Sequence, residues 1–345
     1  MRLVSEFEAS YFVFENVQGL TVGRHRQFLE ELIELFLERG YEVRLPWRVL
    51  NAVNFGVPQD RKRLFLLGAR KGLPLPEYPT ELTRAAGTPE LGPLPNGPSC
   101  RDALSDLPEA ENFIELLERD WVLTRDWGRP SPYASELRCL CERTWWYGYR
   151  RNCTPHLLTS SMRTAHSDIS RRRFAATSPG ETEPISRFFR LPADGVSNTL
   201  RAGTDSARGA FTSPRPIHYE RPRCVTVREM ARLHGFPDWF RFHETKWHGA
   251  RQIGNAVSPI VARHVGLRIL EVLGHTPSRP VDVIELGDPA LLGMDMSQAA
   301  SFWKIASPIG RRDRKSGAKK RKQHEIEGMS RPLLNSAGRA LPVDD

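Results

Sequence analysis

The stretch at residues 12–20 places a carboxyl and a carboxamide side chain, those of Glu15 and Asn16, at the end of an apolar run. A carboxyl in such a place can donate or accept a proton, and it can stabilise charge that develops on a bound molecule. The alternative without a function is an ion pair between Glu15 and a nearby arginine. Which interpretation applies depends on the elements that position Glu15.

The elements after Glu15 predict an α/β unit. Residues 23–43 carry the i, i+4, i+7, i+8 spacing of an amphipathic helix, at Phe28, Leu32, Leu35 and Phe36. Gly40 is a natural end for this helix, and the runs at 41–45 and 63–69 are typical of strands. Strand, helix and strand in this order predict a mostly parallel sheet, whose ligands bind beyond the carboxyl ends of the strands. Glu15 at such an end is a site candidate.

Composition predicts a soluble protein, and the charge predicts a polyanionic partner. The 345 residues include 39% hydrophobic and 26% charged residues, with a net charge of +9. Residues 311–322 hold eight basic residues and one acidic residue, which leaves 42 basic against 40 acidic residues elsewhere. We expect this basic tail to be disordered. It is either a solvated appendage or a DNA-binding element.

Cysteine usage and hydropathy predict a cytoplasmic chain. No run approaches the length of a membrane span, and the N-terminus lacks the pattern of a signal peptide. Five scattered cysteines are an odd number, so they are interpreted as reduced thiols. Cys139 and Cys141 could begin a zinc site, but without a second pair we interpret them as structural. No metal is predicted.

The texture of the chain suggests four regions. Residues 1–72 carry the sheet pattern, whereas 73–190 are irregular, rich in proline and glycine at first and then in arginine and aromatic residues. Mixed arginine and aromatic residues can serve nucleic-acid contact, although aromatic clusters are more often core. Regular patterns return at 191–275. Residues 276–345 are interpreted as a tail.

Four segments, in this order, resemble the cytosine-5 DNA methyltransferases. Residues 12–20 look like the Glu-Asn-Val motif of that family, and residues 51–70 look like its Gln-x-Arg-x-Arg motif. Residues 197–240 resemble the segment that closes the target-recognition region, and residues 251–259 resemble the last motif. One departure is Ser258, where the family usually has a proline. A serine there suits the N-cap of the next helix.

The resemblance implies a fold and a reaction. The fold is an incomplete Rossmann-like methyltransferase sheet with a small irregular target-recognition domain inserted at 73–190. In the family, a cysteine thiolate adds to C6 of a cytosine flipped out of duplex DNA, and C5 then takes the methyl group of S-adenosylmethionine. The implied partner is therefore double-stranded DNA, and the implied setting is bacterial restriction-modification at the nucleoid.

The resemblance also implies residue roles. Glu15 matches the carboxyl that donates to N3 of the cytosine, Arg63 the arginine that reaches O2, and Arg61 the one that supports the loop around it. To donate to N3, Glu15 must hold a proton, which an apolar surround favours. We expect that surround to consist of Phe12, Phe14 and Val17. The implied cofactor-binding residues are Asn255, Ala256 and Val257. The implied structural motif residues are Asn16, Gln59 and Gly254.

Two family motifs do not occur in the sequence. These are the Phe-x-Gly-x-Gly turn that binds the cofactor and the Pro-Cys-Gln that carries the nucleophile, and no cysteine here is followed by glutamine. The chain thus resembles the C-terminal portion of such an enzyme, beginning inside the helix before the Glu-Asn-Val strand. Either a second chain supplies the missing motifs, or the product is a truncated remnant or a DNA-binding module. We expect the chain alone to be inactive.

Overall fold

The computed structural model describes residues 1–89, 92–141, 148–203, 215–278 and 280–306. Two compact units are present, Met1–Gly293 and the part from Met294 onward, and each is described by itself. The basic stretch at 311–322 lies outside the described residues, as do residues 142–147 of the aromatic and arginine-rich region. The predicted division of the chain at residues 72, 190 and 275 remains a prediction.

Helices and short strands alternate through the first unit. The helices are α1 Arg2–Glu6, α2 Arg24–Glu38, α3 Cys100–Leu104, α4 Pro132–Leu137, α5 Asp168–Ala176, α6 Val227–His234, α7 Lys246–Asn255 and α8 Pro259–Val272. The strands are β1 Tyr11–Val17, β2 Tyr41–Val43, β3 Arg48–Asn51, β4 Lys62–Arg70, β5 Val122–Leu123, β6 Arg150–Asn152, β7 Leu157–Leu158 and β8 Val283–Glu285. The second unit holds α9 Met296–Phe302, which begins at a capping box formed by Asp295 and Gln298. In the described ranges, no helix is long and apolar enough to cross a membrane.

The main sheet is α/β in its layers, but its strand pairing differs from the expectation of a mostly parallel sheet. The strand order is β1–β4–β2, with β3 also pairing with β4. All three pairings with β4 are antiparallel. The strands β1 and β2 do run in the same direction, as the predicted strand–helix–strand unit requires. The chain then returns through β4 between them, because the connection from β2 to β4 contains β3 and a short 3-10 helix rather than a crossover α-helix.

Strand β4 is the centre of a three-layer core. Leu64 and Leu66 pack on one face with the side chains of α2. Phe65 and Leu67 pack on the other face with α8. All four side chains are at most 2% exposed. Successive residues of a strand point to opposite faces, so this single apolar run packs against α2 with one face and against α8 with the other.

The buried face of α2 agrees with the predicted one at Leu32 and Phe36 and differs from it at Phe28 and Leu35. The helix buries Leu29, Ile33 and Phe36, whereas Phe28 is 54% exposed and Leu35 is 44% exposed. Apolar residues occur on two faces of this helix, and both sets satisfy the helical spacing. Contact with β1 and β4 decides between them, which the periodicity alone cannot do. The predicted end is confirmed, because α2 ends at Glu38 and Gly40 follows with a φ of 78°.

The N-terminal end of α8 is also as expected in position. Ser258 is its N-cap residue and Pro259 is the first helical residue. The Ser258 hydroxyl, however, makes no capping hydrogen bond and is buried without a partner among the described residues. The helix therefore begins where the sequence predicts, but without the side-chain bond that was expected to replace the family's proline.

A second core joins α3, α6 and α7, and a buried arginine crosses it. Arg232 on α6 is fully buried. It donates to Asp106 Oδ1 at 3.0 Å and to Asp238 Oδ2 at 2.7 Å. Asp106 also accepts from Arg138, directly after α4, at 3.1 Å. The pKa of Asp238 lies below its ordinary value, because its charge partners, Arg232 foremost, outweigh the cost of burial.

Replacing Arg232 with methionine should destabilise the fold. The substitution keeps the volume but leaves two carboxylates, one of them fully buried, without their main partner, at a cost of about 3–5 kcal/mol. Arg26→Met is the matched control, since Arg26 forms an exposed pair with Glu30 and should cost less than about 1 kcal/mol. Urea unfolding of both variants measures the difference. Equal losses would show that the buried pairs contribute nothing beyond surface ones.

Candidate active site

Glu15 and Arg63 meet on adjacent strands. The antiparallel register of β1 and β4 places Arg63 opposite Val17. Glu15 lies two residues before Val17 and therefore on the same face of the sheet, diagonal to Arg63. Arg63 Nε and Glu15 Oε1 are 3.1 Å apart. The ion pair that was the alternative interpretation without a function is thus present. Its surroundings decide whether it is also part of a functional site.

The pair lies in a cavity of about 350 Å³. Its walls come from β1, β4, the segment 199–202 and the end of α7. They consist of Glu15, Asn16, Val17, Arg61, Arg63, Thr199, Leu200, Arg201, Ala202, Gly254 and Asn255. Segments that are far apart in sequence therefore converge here. Of the residues predicted for the site, Glu15, Arg61, Arg63, Asn16, Gly254 and Asn255 line this cavity together.

The expected apolar surround of Glu15 is wrong in two of its three residues. Val17 lines the cavity, but Phe12 stacks on Phe36 with ring centroids 4.1 Å apart. Phe14 packs in the same cluster on the α2 side of the sheet. The reason is strand alternation: residues 12 and 14 point away from the face that carries residue 15. Charged side chains and backbone, rather than aromatic rings, enclose Glu15.

Burial nevertheless favours the protonated form of Glu15. The side chains of Glu15 and Arg63 are 25% and 15% exposed. Desolvation raises the pKa of Glu15 above its ordinary value, against the opposing charges of Arg63 and then Arg61. Desolvation likewise lowers the pKa of Arg61 to about 10, with Arg63 adding to the effect. The site therefore holds a carboxyl that takes up a proton more readily than in water.

Arg61 holds the cavity walls in place rather than projecting a donor into it. Its Nη1 donates to the Leu200 carbonyl at 3.0 Å. Its Nη2 donates to the carbonyls of Gly254 at 2.9 Å and Ala256 at 2.8 Å. This geometry fits the supporting role implied for Arg61, which remains a prediction.

Gln59 and His234 complete the same network. The Leu200 N–H donates to Gln59 Oε1 at 3.1 Å. Gln59 Nε2 lies 2.9 Å from His234 Nδ1 and donates to the Leu233 carbonyl. Since an amide nitrogen can only donate, His234 Nδ1 must accept, and its Nε2–H donates to the Ala256 carbonyl at 3.1 Å. Burial lowers the pKa of His234 to about 3, so the ring is neutral.

His234 is a site-supporting residue that the sequence interpretation missed. It is the last residue of α6, directly before Gly235, which ends the helix with a φ of 86°. The residues 199–202 were likewise not predicted to line a cavity. The signal for His234 was its position between the apolar face of α6 and a Gly-Phe-Pro turn. That position marks a helix end but gives no indication of a contact with Gln59.

The predicted cofactor residues separate in the structure. Asn255 lines the cavity, whereas Ala256 packs against the core of α3, α6 and α7 and Val257 against that of α8. Of the three, only Asn255 therefore faces a cavity that the described residues form. The cofactor roles of Asn255, Ala256 and Val257 stay predictions. Asn16, predicted as structural, accepts the Val17 N–H at 2.8 Å through Oδ1.

Metal ligands were searched in the described ranges. No group there brings together three or more histidine, cysteine or carboxylate side chains that could hold a metal ion. Cys139 is half-buried with a φ of 56°. Burial, followed by the neighbouring Cys153 and Asp238, raises the pKa of its thiol far above the ordinary range. A protonated thiol is a poor nucleophile.

Comparison with known proteins identifies the family. Residues 1–271 match the family described as C-5 cytosine-specific DNA methylase. The chain belongs to this family. It is 52% identical over 326 residues to the type II methyltransferase M.XorII of Xanthomonas oryzae pv. oryzae, covering 94% of this chain and 74% of that protein. It is 27% identical over 280 residues to the type II methyltransferase M.AplI of Arthrospira platensis, covering 81% of this chain and 62% of that protein.

A solved structure supports the fold of this methylase chain. It is a crystal structure of a candidate DNA modification methyltransferase encoded within a prophage of E. coli. The two chains superpose with a TM-score of 0.60 at 30% sequence identity, covering 79% of this chain and 72% of that one. The α/β methyltransferase fold predicted from the sequence is thereby confirmed.

Gly254→Ala should disturb the wall that Arg61 holds. A Cβ at residue 254 would lie 2.3 Å from the Ala202 backbone nitrogen and 2.5 Å from the Arg201 carbonyl carbon. Backbone cannot yield as a side chain does, so we expect a loss of about 1–3 kcal/mol. Gly266→Ala in α8 is the control, because a Cβ there meets nothing within 4 Å and should stabilise by about 0.5–1 kcal/mol. Urea midpoints that shift in the same direction would contradict the close approach.

Glu15→Gln should change how stability depends on pH. The pKa of Glu15 is raised above 4.5 in the folded state. The stability contributed by its proton is therefore complete below 4.5 and is lost as pH rises through the raised value. Glutamine cannot ionise, so the melting temperature of the variant minus that of the wild type should increase between about pH 4 and about pH 8. The exposed Glu38→Gln is the control. A difference that falls with pH would mean that the Arg63 pair outweighs burial.

Proposed function

We propose that this chain is part of a DNA (cytosine-5)-methyltransferase and that its cavity receives the target cytosine. The observation that carries the proposal is Glu15, a carboxyl with a raised pKa beside Arg63. The cavity of about 350 Å³ corresponds to on the order of ten water molecules at about 30 Å³ each, which is ample for a pyrimidine ring. A cytosine reaches such a cavity only when it is flipped out of the duplex.

Proton uptake by Glu15 does two things at once. The protonated carboxyl can donate to N3 of a cytosine, where charge develops when a nucleophile adds to C6. The same proton removes the negative charge that holds Arg63 at 3.1 Å. The Arg63 guanidinium is then free to donate to O2 of the base. The ion pair is then the arrangement of the empty site. After Glu15 is protonated, the pair is replaced by two contacts with the base, from Glu15 to N3 and from Arg63 to O2.

The walls serve to keep both donors in position. Leu200 and Gly254 are fixed by Arg61, and Leu200 is fixed a second time by Gln59. A base entering between Glu15 and these walls would meet backbone that cannot move independently of β4. Pre-arranged donors need no reorganisation during the reaction, which is how such sites lower the barrier.

The nucleophile and most of the cofactor site are proposed to come from polypeptide outside the present sequence. S-adenosylmethionine supplies the methyl group in this family. Among the described residues, β1 pairs only with β4, and Val13 and Val17 on β1 are 42% and 53% exposed. An unpaired strand edge with apolar side chains is a template for another strand. This edge is where we place the complementing segment, whether it belongs to a second chain or to a longer form of this one.

The experiment tests the chain alone and in combination. Duplex DNA and tritiated S-adenosylmethionine are incubated with the 345-residue chain, with and without a second polypeptide that carries the Phe-x-Gly-x-Gly and Pro-Cys-Gln motifs. Label in 5-methylcytosine should appear only with both, because a covalent nucleophile is required. Methylation by the chain alone would contradict the proposal that the nucleophile comes from another polypeptide segment. No methylation by the pair would favour the alternative, a non-catalytic remnant or DNA-binding module.

In the combined enzyme, Glu15→Gln should lower turnover about 10²–10³-fold while leaving DNA affinity nearly unchanged. The carboxamide keeps the shape of the carboxyl but cannot transfer a proton. Unlike the carboxyl, it also stays neutral at high pH, so the pH dependence of turnover distinguishes the two side chains. Glu42→Gln on β2 is the control within the same sheet and should keep wild-type turnover. Full turnover in Glu15→Gln would rule out the role at N3.

A further inference from the structure

A strand from beyond the family match is built into the predicted recognition region. The match ends at residue 271, and β8 follows at Val283–Glu285. It pairs in parallel with β6, with Arg150 opposite Val283 and Asn152 opposite Glu285. Asn152 Nδ2 donates to both carboxylate oxygens of Glu285, at 2.9 and 3.1 Å. This part of the predicted tail is therefore a structural element of the first unit.

The segment after β8 is anchored as well. The Glu244 N–H donates to the Leu292 carbonyl at 3.0 Å. Strands of three residues in a two-stranded pair are too short to be stable by themselves. The side-chain bonds between Asn152 and Glu285 and the anchor at Leu292 therefore add to the support of β6 in this conformation. Glu285 acts on β6 through Asn152.

The paired strands border a second cavity of about 350 Å³. Its lining includes Arg150, Arg151 and Val283 from the paired strands, together with Trp127, Arg138 and Trp239. It shares no lining residue with the cavity at Glu15. Both indole Nε1 atoms are buried and have no hydrogen-bond partner within the described ranges. The rings of Trp127 and Trp239 thus belong to the walls of a largely apolar hollow, while their N–H groups are enclosed by protein.

The charge of this hollow is positive. Arg138 stacks over Trp127 at 4.3 Å and Arg151 over Trp239 at 4.6 Å, measured from the guanidinium carbon to the ring centroid. The one carboxylate in the wall, Asp238, is already bound by Arg232. The guanidinium of Arg150 has no hydrogen-bond or ion-pair partner in the part of the chain that the structure describes. An anionic molecule with planar, polar-edged groups fits this surface.

We propose that this second cavity and its rim read the sequence of duplex DNA, with Arg150 as a contacting residue and Glu285 as a positioning residue. The inference rests on the proposed function for its substrate, DNA. Guanidinium groups bind guanine edges and phosphates, and an aromatic ring surface provides apolar contact. Strand β8 is then a specificity element supplied from outside the matched family region.

Binding by the full 345-residue chain tests this directly. A randomised duplex pool is enriched on the wild-type chain, and the affinities for the enriched and a scrambled duplex are compared. Glu285→Ala should lower the ratio of the two affinities on the order of tenfold, because Arg150 loses its fixed position. Glu285→Gln retains an acceptor for Asn152 and should restore the ratio. Asp282→Ala, which removes one charge from the same exposed segment, should leave the ratio unchanged.

A second pair of variants tests the contact itself. Arg150→Ala should lower the affinity ratio on the order of tenfold. Arg39→Ala, at an exposed arginine far from the cavity residues in sequence, should leave it unchanged. A wild-type chain that enriches no sequence would overturn the proposal. So would equal ratios for Glu285→Ala and Asp282→Ala, or an Arg150→Ala variant that weakens both duplexes alike. No methyl transfer is measured, so a failure of the proposed reaction would be seen separately.

Discussion

The buried guanidinium of Arg61 is the constraint on which the site depends. Arg61 is 3% exposed and donates to three backbone carbonyls, those of Leu200, Gly254 and Ala256. A buried cation is costly unless its donors are satisfied, and Arg61 Nε has no hydrogen-bond partner among the described residues, so the bonds of its two terminal nitrogens are the ones that offset this cost. The three carbonyls must therefore stay where they are, and with them the two segments that wall the cavity. The pKa of Arg61 is lowered only to about 10, so the group keeps its charge at neutral pH.

The spacing Gln-x-Arg-x-Arg follows from the strand that carries it. In extended backbone, residues two apart point to the same side. Gln59 and Arg61 are buried and Arg63 is partly buried on one side, whereas Asp60 and Lys62 are exposed on the other. The extended segment that leads into β4 thus supplies an amide that orders Leu200 and His234, a guanidinium that ties the walls, and a guanidinium that pairs with Glu15 in the cavity. Any insertion of one residue would turn this set to the opposite face.

The sequence predicted local features well and long-range pairing poorly. The strand at Glu15, the helix end at Gly40 and the N-cap position of Ser258 follow from neighbouring residues, and the structure contains all three. The antiparallel pairing of β4 with β1 and β2 depends on contacts between distant segments, which composition does not encode. Phe12 was wrongly expected beside Glu15, because the alternation of side chains along the strand places the two on opposite faces of the sheet. The pairing of Asn152 with Glu285 joins residues 133 positions apart, and no local pattern indicates it.

The arginines explain why net charge is a poor guide to the DNA-binding surface. Several are buried in the body of the protein, namely Arg61, Arg215, Arg223, Arg228 and Arg232. Arg223 and Arg232 are neutralised by carboxylates that are themselves largely buried, Glu229 and Asp106 among them. These cations hold the fold together and offer nothing to a phosphate. The proposed contact with DNA falls instead on an arginine without a partner among the described residues, Arg150, so the fold's pairing of its guanidinium groups matters more here than how many of them the chain contains.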